Sequence, residues 1–196
     1  MLTDGPPRNK ELLAQFLESD RLSIIEVPQD NRLLTIAKSI DLAMKGGTSA
    51  AVRHASAEFV AVASEFYAVR KPKVRVLEAR PLRAREGRWA TELFGDYAPE
   101  TKLIRLWMRT AVRKQVTSLG TFLSTLCHEF CHHLDYERFG FADSPHTRGF
   151  YGRTAALYHH TRGTPMKRLF WVRLPGGRWR IDWQRTSVGH RPEAVW

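Results

Sequence analysis

Cysteine is scarce in this chain, and its scarcity excludes a class of protein. The 196 residues contain two cysteines, Cys127 and Cys131, which lie four positions apart. Secreted domains that depend on disulfides use a larger, spaced set of cysteines, so a disulfide framework is excluded. Such sparing use of cysteine is typical of proteins in a reducing compartment, and we expect a cytoplasmic location.

Long apolar runs are absent as well. A helix needs roughly 18 consecutive apolar residues to cross a bilayer, and no stretch of this sequence approaches that length. The first residues, "MLTDGPPRNKELL", lack the basic start and the apolar stretch of a signal peptide. We therefore expect neither a signal peptide nor a membrane partner.

Acidic residues are few relative to basic ones. The chain has 31 Lys and Arg against 20 Asp and Glu, a net charge of +11 at pH 7. The first 50 residues hold six basic and seven acidic side chains, so the whole excess lies in the later part. A basic surface favours polyanions such as nucleic acid, although a mixed-charge surface that only keeps the protein soluble explains the same count.

The spacing of apolar residues predicts an α+β fold. Helical periodicity predicts helices at residues 9–19, 30–45, 49–69, 118–139 and 145–160. Alternating polarity predicts strands at 73–79, 89–94 and 102–109, with residues 95–101 as the turn between the last two. Ser144 and Pro145 are the expected N-cap and first residue of the last helix, and Gly140 is expected to end the helix before it.

Near the end of the sequence, "LFWVRL" and "RWRIDWQRT" flank "PGG", which predicts a β-hairpin. Trp179, Ile181 and Trp183 alternate, so we expect them to form one packed face. Basic residues interleaved with tryptophans, including Trp196, would alternatively bind nucleic acid by phosphate contact and stacking. The expected organisation is a helical N-terminal extension (1–47), a core domain (48–165) and a basic, Trp-rich hairpin tail packed on that core (166–196).

The stretch "TLCHEFCHH" (125–133) concentrates three of the eight histidines of the chain. His128, Glu129 and His132 spell the pattern H-E-x-x-H within a predicted helix. At about 100° per residue, the two histidines lie about 40° apart and one turn along the helix, so both imidazoles can reach one metal ion. Glu129 projects about 100° away from His128, beside the ion, where a general base for an activated water would stand.

The opposite face of this helix is apolar. It carries a stripe of core-type residues: Leu119, Phe122, Leu123, Leu126, Phe130 and Leu134. The paired histidines would therefore face away from the core and into a cleft. His133 falls on the apolar side, so we expect a hydrogen-bonded core histidine, and we expect both cysteines to be buried. Asp135 lies on the ligand face, where it is either an acceptor for an imidazole N–H or a solvated charge.

A catalytic zinc needs a third protein ligand and one open position. His146 is the first candidate, since the residues between it and His132 include a glycine and a proline that suit a chain reversal. Asp143 is the second candidate, and His159 or His160 is the third. A polar helix face without metal and a zinc site without catalysis are the two alternatives to an active site.

The segment "TLCHEFCHHLDYERFGFADSPHTRGF" (125–150) resembles the SprT-like zincin metallopeptidases, in which an HExxH helix is followed by a loop and a short H-x-x-x-F stretch. His146 and Phe150 match that stretch. The segment "FGDYAPETKLIRL" (94–106) is similar to the glycine turn and rim strand of the family. The resemblance covers residues 48–160. It implies a zincin-like metallopeptidase core, with a small mixed or antiparallel sheet and an active-site helix.

By this resemblance, His128, His132 and His146 bind Zn²⁺ and Glu129 is the catalytic acid/base. The implied function is a zinc-dependent peptidase that hydrolyses peptide bonds with water activated by zinc and by the glutamate. The rim strand 103–109 would hold an extended protein or peptide substrate by strand addition.

An oxyanion stabiliser is also needed, and Tyr151, Arg148 and Arg153 are candidates because they follow His146 closely in the sequence.

The alternative function is that of a binding protein rather than an enzyme. It is a basic, nucleic-acid-associated protein that keeps a zincin fold around a structural, non-catalytic zinc. The four-cysteine zinc ribbon of many SprT-like proteins is missing, since no cysteine follows Cys131.

Overall fold

The computed structural model describes residues 1–84 and 90–188. In these residues the chain forms six α-helices and three small sheets, which confirms the predicted α+β class. They group into two compact units, Met1–Val27 with Phe141–Trp196, and Pro28–Gly140. The first unit joins the two ends of the chain, whereas the sequence predicted three consecutive segments.

The helices are α1 (Lys10–Arg21), α2 (Arg32–Gly46), α3 (Ser49–Tyr67), α4 (Leu119–Leu134), α5 (Arg148–Arg162) and α6 (Trp183–Val188). The strands are β1 (Lys73–Ala79), β2 (Leu82–Ala84), β3 (Ala90–Glu92), β4 (Gly95–Ala98), β5 (Leu103–Arg109), β6 (Trp171–Arg173) and β7 (Trp179–Ile181). Within the described ranges, no helix is both long and apolar enough to span a membrane.

In the unit Pro28–Gly140, α2 and α3 pack together around a glycine turn. Gly47 ends α2 in the left-handed conformation at φ 72°, and its N–H donates to the Met44 carbonyl at 3.0 Å. Glycine adopts the left-handed conformation at little cost in energy, because it has no Cβ, and helices therefore often end at a glycine. The two helices bury their apolar residues: Leu33, Ile40, Met44, Val52, Phe59, Val60 and Ala63. The predicted helices 30–45 and 49–69 are confirmed to within two residues at each end.

β5 is the central strand of a three-stranded sheet in the same unit. β1 runs parallel to it on one side, and β4 runs antiparallel on the other. Ile104, Leu106 and Met108 of β5 are fully buried, so this strand supplies much of the core around the sheet. The predicted strand 73–79 matches β1.

The predicted turn at 95–101 is wrong in its first half, because Gly95–Ala98 form β4. Tyr97 pairs with Ile104, and the chain reverses afterwards, where the Lys102 N–H donates to the Pro99 carbonyl at 3.2 Å. Glycine and aspartate mark turns locally, but pairing with a buried central strand overrides that preference. The predicted rim strand 103–109 is therefore flanked by strands on both sides and has no edge for a substrate.

The predicted strand 89–94 is found only in part. Trp89 lies outside the described residues, and Ala90–Glu92 form β3, which pairs antiparallel with β2. Next to this pair, Arg80 is almost fully buried and donates to Glu92 Oε2 at 2.8 Å and to Thr117 Oγ1 at 2.8 Å. Its guanidinium also lies 3.8 Å from the centre of the Phe94 ring. These contacts tie the end of β1 to the segment that leads into α4.

α4 begins at a Ser118 N-cap, whose hydroxyl accepts the Thr121 N–H at 3.2 Å. After Leu134 the helix continues as a π-helical turn over Asp135–Phe139 and ends at Gly140 with φ 68°. The predicted helix 118–139 and its terminal glycine are thus confirmed. Most of the apolar stripe is buried as expected, with exposures of 2% or less for Phe122, Leu123, Leu126, Phe130 and Leu134, whereas Leu119 is half-buried.

In the other unit, α1 packs against α5 at a very close approach. An alanine at Gly149 would place its Cβ 1.9 Å from the Ser19 carbonyl oxygen, so only glycine fits there. Ser19 Oγ and Thr147 Oγ1 share a buried hydrogen bond of 2.9 Å. Arg153 is fully buried, donates from Nη1 to the carbonyls of Ser19 and Leu22, and donates from Nη2 to Ser19 Oγ.

The predicted start of the helix 145–160 is wrong by three residues. α5 begins at Arg148, and its N-cap is Thr147, whose Oγ1 accepts the Phe150 N–H at 3.0 Å. Ser144 has φ 39°, which differs from the extended conformation that an N-cap adopts. Pro145 and His146 consequently lie in the loop before the helix.

The predicted hairpin is present as β6 and β7, joined by a short turn at Pro175–Gly177. The chain's first residues pair with it, through a bridge from Leu2 to Arg180 and a hydrogen bond from the Thr3 N–H to the Trp179 carbonyl at 2.8 Å. The expected packed face is only partly correct: Ile181 is buried, but Trp183 begins α6 and is 50% exposed. Residues 189–196, including Trp196, lie outside the described residues.

Candidate metal centre

α4 brings two histidine rings together on one side, as their spacing predicts. The Nε2 atoms of His128 and His132 are 3.2 Å apart. Two nitrogens bound to one tetrahedral zinc lie about 3.3 Å apart, because each is about 2.0–2.1 Å from the ion. Both side chains are partly buried and so stay reachable from solvent. The pair therefore has the spacing that a shared metal ion requires.

Glu129 follows His128 on α4 and is only 5% exposed. Burial raises the pKa of its carboxyl group to about 8, and the negative charge of Asp96 adds to the shift. A divalent cation next to the carboxylate would act in the opposite direction and lower this pKa.

Gly95 of β4 makes room for the Glu129 side chain. A Cβ at position 95 would lie 3.1 Å from Glu129 Cγ and 2.5 Å from Thr125 Cγ2. The absence of a side chain at this position therefore allows β4 to approach α4 closely. In the sequence, Gly95 was predicted to be part of a turn, and its role in the close approach of β4 to α4 was not predicted.

His146 is held in the loop before α5. Its backbone N–H donates to Asp4 Oδ2 at 2.8 Å, and its ring Nδ1 lies 3.3 Å from the same oxygen. The hydrogen bond from the His146 side chain lowers the pKa of Asp4. The ring meets Phe150 edge-on, with centroids 5.1 Å apart, and stacks on Tyr151 at 5.9 Å.

The ligand atoms of His128, His132 and His146 all lie within 4.8 Å of one another. Among the described residues, this is the one group of three or more His, Cys, Asp or Glu side chains that could hold a metal ion. The lower-ranked candidates Asp143, His159 and His160 are not part of it. The structure thus brings together the three histidines that the sequence selected, without showing which metal they would bind.

Comparison with protein-family models, with curated proteins and with solved structures finds no match for this chain. The likeness to SprT-like metallopeptidases accordingly stays a prediction.

The residues around the centre are largely buried. His133 is fully buried, with Nε2 2.6 Å from the Arg70 carbonyl and Nδ1 2.9 Å from the Tyr97 hydroxyl. These contacts place its proton on Nε2 and make it the core histidine that the sequence predicted. Burial lowers the pKa of His133 and raises that of Tyr97. Asp135 is also fully buried, so the solvated alternative is wrong for it. Both cysteines are buried, as expected, and neither is in a disulfide.

The three candidates for oxyanion stabilisation all have other partners. Tyr151 donates its hydroxyl proton to the Leu2 carbonyl at 2.9 Å, and burial raises its pKa to about 12. Arg148 is bonded to the carboxylate of Asp20 and lies 4.5 Å from the Trp179 ring. Arg153 is enclosed by backbone carbonyls, as described above. Nearness in sequence to His146 therefore did not identify a catalytic role for any of them.

Proposed function

We propose that this protein is a zinc-dependent metallopeptidase of SprT-like type with a zincin core. Its main support is the cluster of three imidazoles, together with the buried carboxylate of Glu129, which follows His128 directly on α4. A structural zinc site needs four protein ligands, whereas three ligands with an adjacent carboxylate are typical of hydrolytic sites.

His128, His132 and His146 would hold the ion, since neutral imidazole is a preferred ligand of zinc. A bound zinc supplies Lewis acidity, which acidifies water and polarises a carbonyl group. The three rings are only partly buried, so water can reach the centre.

Glu129 performs the proton transfers in this proposal. Its carboxylate accepts a proton from the attacking water and passes it to the amine that leaves. β4 lies close to this side chain, since a Cβ at Gly95 would come within 3.1 Å of Glu129 Cγ, and this closeness limits the positions that the carboxylate can occupy. A carboxylate held in one place transfers protons without first having to be ordered.

The substrate would be an extended peptide or protein segment lying along β4. β4 is an edge strand of the described three-stranded sheet, with β5 on one side. It also carries Gly95, where an added Cβ would lie 3.1 Å from Glu129 Cγ, so we expect a peptide added to this edge to pass near Glu129. This assignment replaces strand 103–109, which is central.

The test is cleavage of an unfolded protein such as casein by wild type and by Glu129→Gln, each with its zinc content measured. The proposal expects chelator-sensitive cleavage by wild type, and a variant that keeps zinc but loses activity by a factor of about 10²–10⁴. Full turnover by Glu129→Gln would remove this residue from the mechanism.

Salt-dependent binding of DNA by wild type, with no cleavage of any protein, would instead support the nucleic-acid-associated alternative. Nucleic acid as a partner and a cytoplasmic location both stay predictions.

A further inference from the structure

The third histidine of the cluster is held by a residue 142 positions away in the sequence. Asp4 and His146 are joined in both directions. The Asp4 N–H donates to the His146 carbonyl at 2.9 Å, and the His146 N–H donates to Asp4 Oδ2 at 2.8 Å. The same oxygen lies 3.3 Å from ring Nδ1. Asp4 therefore contacts both the backbone and the ring of His146.

Asp4 is itself anchored by its neighbours. Thr3 is 3% exposed, and its N–H donates to the Trp179 carbonyl at 2.8 Å. In return, the Trp179 N–H donates to Thr3 Oγ1 at 2.7 Å. Leu2 forms an antiparallel bridge with Arg180. The first residues thus pair with β7, which places the Asp4 carboxylate against the loop that carries His146.

A carboxylate facing Nδ1 has a defined chemical effect on the ring. Neutral imidazole carries one N–H, and an acceptor next to Nδ1 favours the proton on that nitrogen. The lone pair then stays on Nε2, which is the atom available to a metal. Carboxylates in this position also fix the orientation of the ring and strengthen it as a ligand. Contacts with Phe150 and Tyr151 limit its rotation further.

We propose that Asp4 is a positioning residue of the metal centre, which orients His146 and keeps its Nδ1 protonated so that Nε2 is presented to the ion. This inference rests on the proposed zinc site. It extends the centre to the N-terminal segment, which the sequence assigned only to a helical extension.

The test measures zinc affinity of the full chain by competition with a chromophoric chelator, in wild type, Asp4→Ala and Asp4→Asn. Asp4→Ala removes both interactions, so its affinity should fall about 10- to 100-fold. Asp4→Asn keeps a neutral oxygen acceptor and should lose less. Asp143→Ala is the matched control, because it removes an exposed carboxylate three residues from His146 and should stay within about twofold of wild type.

A second measurement reports which ring nitrogen of His146 carries the proton. In the zinc-loaded wild type, the ¹⁵N shifts of His146 should show a protonated Nδ1 and a metal-bound Nε2, whereas Asp4→Ala should show a loss of this preference. Thermal unfolding of the metal-free variants separates loss of affinity from loss of fold. If Asp4→Ala does not fold, Asp4→Asn carries the test.

The outcomes distinguish this inference from the proposed function. Wild-type affinity in Asp4→Ala, together with weakened binding in His146→Ala, would overturn the role of Asp4 and leave the zinc site intact. Wild-type affinity in His146→Ala would overturn the zinc site itself. Equal losses in Asp4→Ala and Asp143→Ala would show a general charge effect, which would also overturn positioning by Asp4.

Discussion

Replacing Gly95 by alanine tests whether the close approach of β4 to α4 sets the position of Glu129. The added Cβ would lie 2.5 Å from Thr125 Cγ2, so this contact must open by about 0.9 Å to reach an ordinary separation of 3.4 Å. The Arg105 carbonyl oxygen and Glu129 Cγ would both lie 3.1 Å away, so the chain has little space in which to move.

Overpacking of this kind costs about 1–3 kcal/mol of folding free energy. A displacement of about 1 Å at a catalytic group lowers the rate roughly 100-fold. We expect Gly95→Ala to show both effects, with zinc affinity less affected because neither His128 nor His132 is among the nearest contacts of the new Cβ. Urea denaturation measures the free energy of unfolding, and cleavage of an unfolded protein measures the activity.

Two further variants test whether the contacts of the added Cβ cause the loss of stability and activity. Gly46→Ala is the matched control: apart from its own helix backbone and chain neighbours, nothing lies within 4 Å of the added Cβ, and alanine in a helix is favourable by up to about 1 kcal/mol. The double variant Gly95→Ala/Thr125→Ser removes Cγ2 but keeps the hydroxyl that donates to the Thr121 carbonyl at 2.9 Å. It should recover stability while activity stays reduced, since the contact with Glu129 persists. Wild-type stability and activity in Gly95→Ala would refute this reasoning.

Two more predictions concern stability. Gly149→Ala should destabilise the protein by about 3 kcal/mol in urea denaturation, because the three atoms nearest to the new Cβ would be backbone carbonyl oxygens, the first at 1.9 Å. A loss of stability smaller than that of Gly95→Ala would contradict this reasoning. Tyr97→Phe should cost about 1–3 kcal/mol of folding free energy, because it leaves Nδ1 of buried His133 without its hydroxyl donor. Tyr158→Phe is the control at a half-buried tyrosine, and it should change the unfolding free energy by less than about 0.5 kcal/mol. Equal changes in the unfolding free energy of the two tyrosine variants would show that the hydrogen bond from the Tyr97 hydroxyl to His133 does not stabilise the protein.

Local periodicity predicted the part of the site that lies on one helix. The bounds of α4, its buried stripe, and the side on which His128 and His132 meet all follow from a repeat of 3.6 residues. The same periodicity separated His133, which is buried, from the neighbouring ligand candidate His132. These features depend on residues a few positions apart, so the sequence contains the information directly.

The features that the sequence did not predict depend on pairing between segments that are distant in the chain. Gly95 and Asp96 are turn residues by composition, but β5 pairs with them and makes them a strand. Asp4 gave no signal, because its partner His146 is 142 residues away and a single aspartate has no pattern. The start of α5 was missed because Thr147 caps the helix while it also bonds to Ser19, a contact across 128 residues.

The position of His146 depends on the packing of the two chain ends, and this links the third ligand to the fold of that unit. Thr147, next to it, bonds to Ser19, and Arg148 bonds to Asp20, so both residues that follow the histidine are fixed by the end of α1. Asp4 fixes the histidine from the other side. Metal ligands that form only in the folded chain make metal binding stabilise that fold. Loss of zinc should therefore loosen the contact between α1 and α5 before it disturbs α4, whose two histidines are placed by the helix itself.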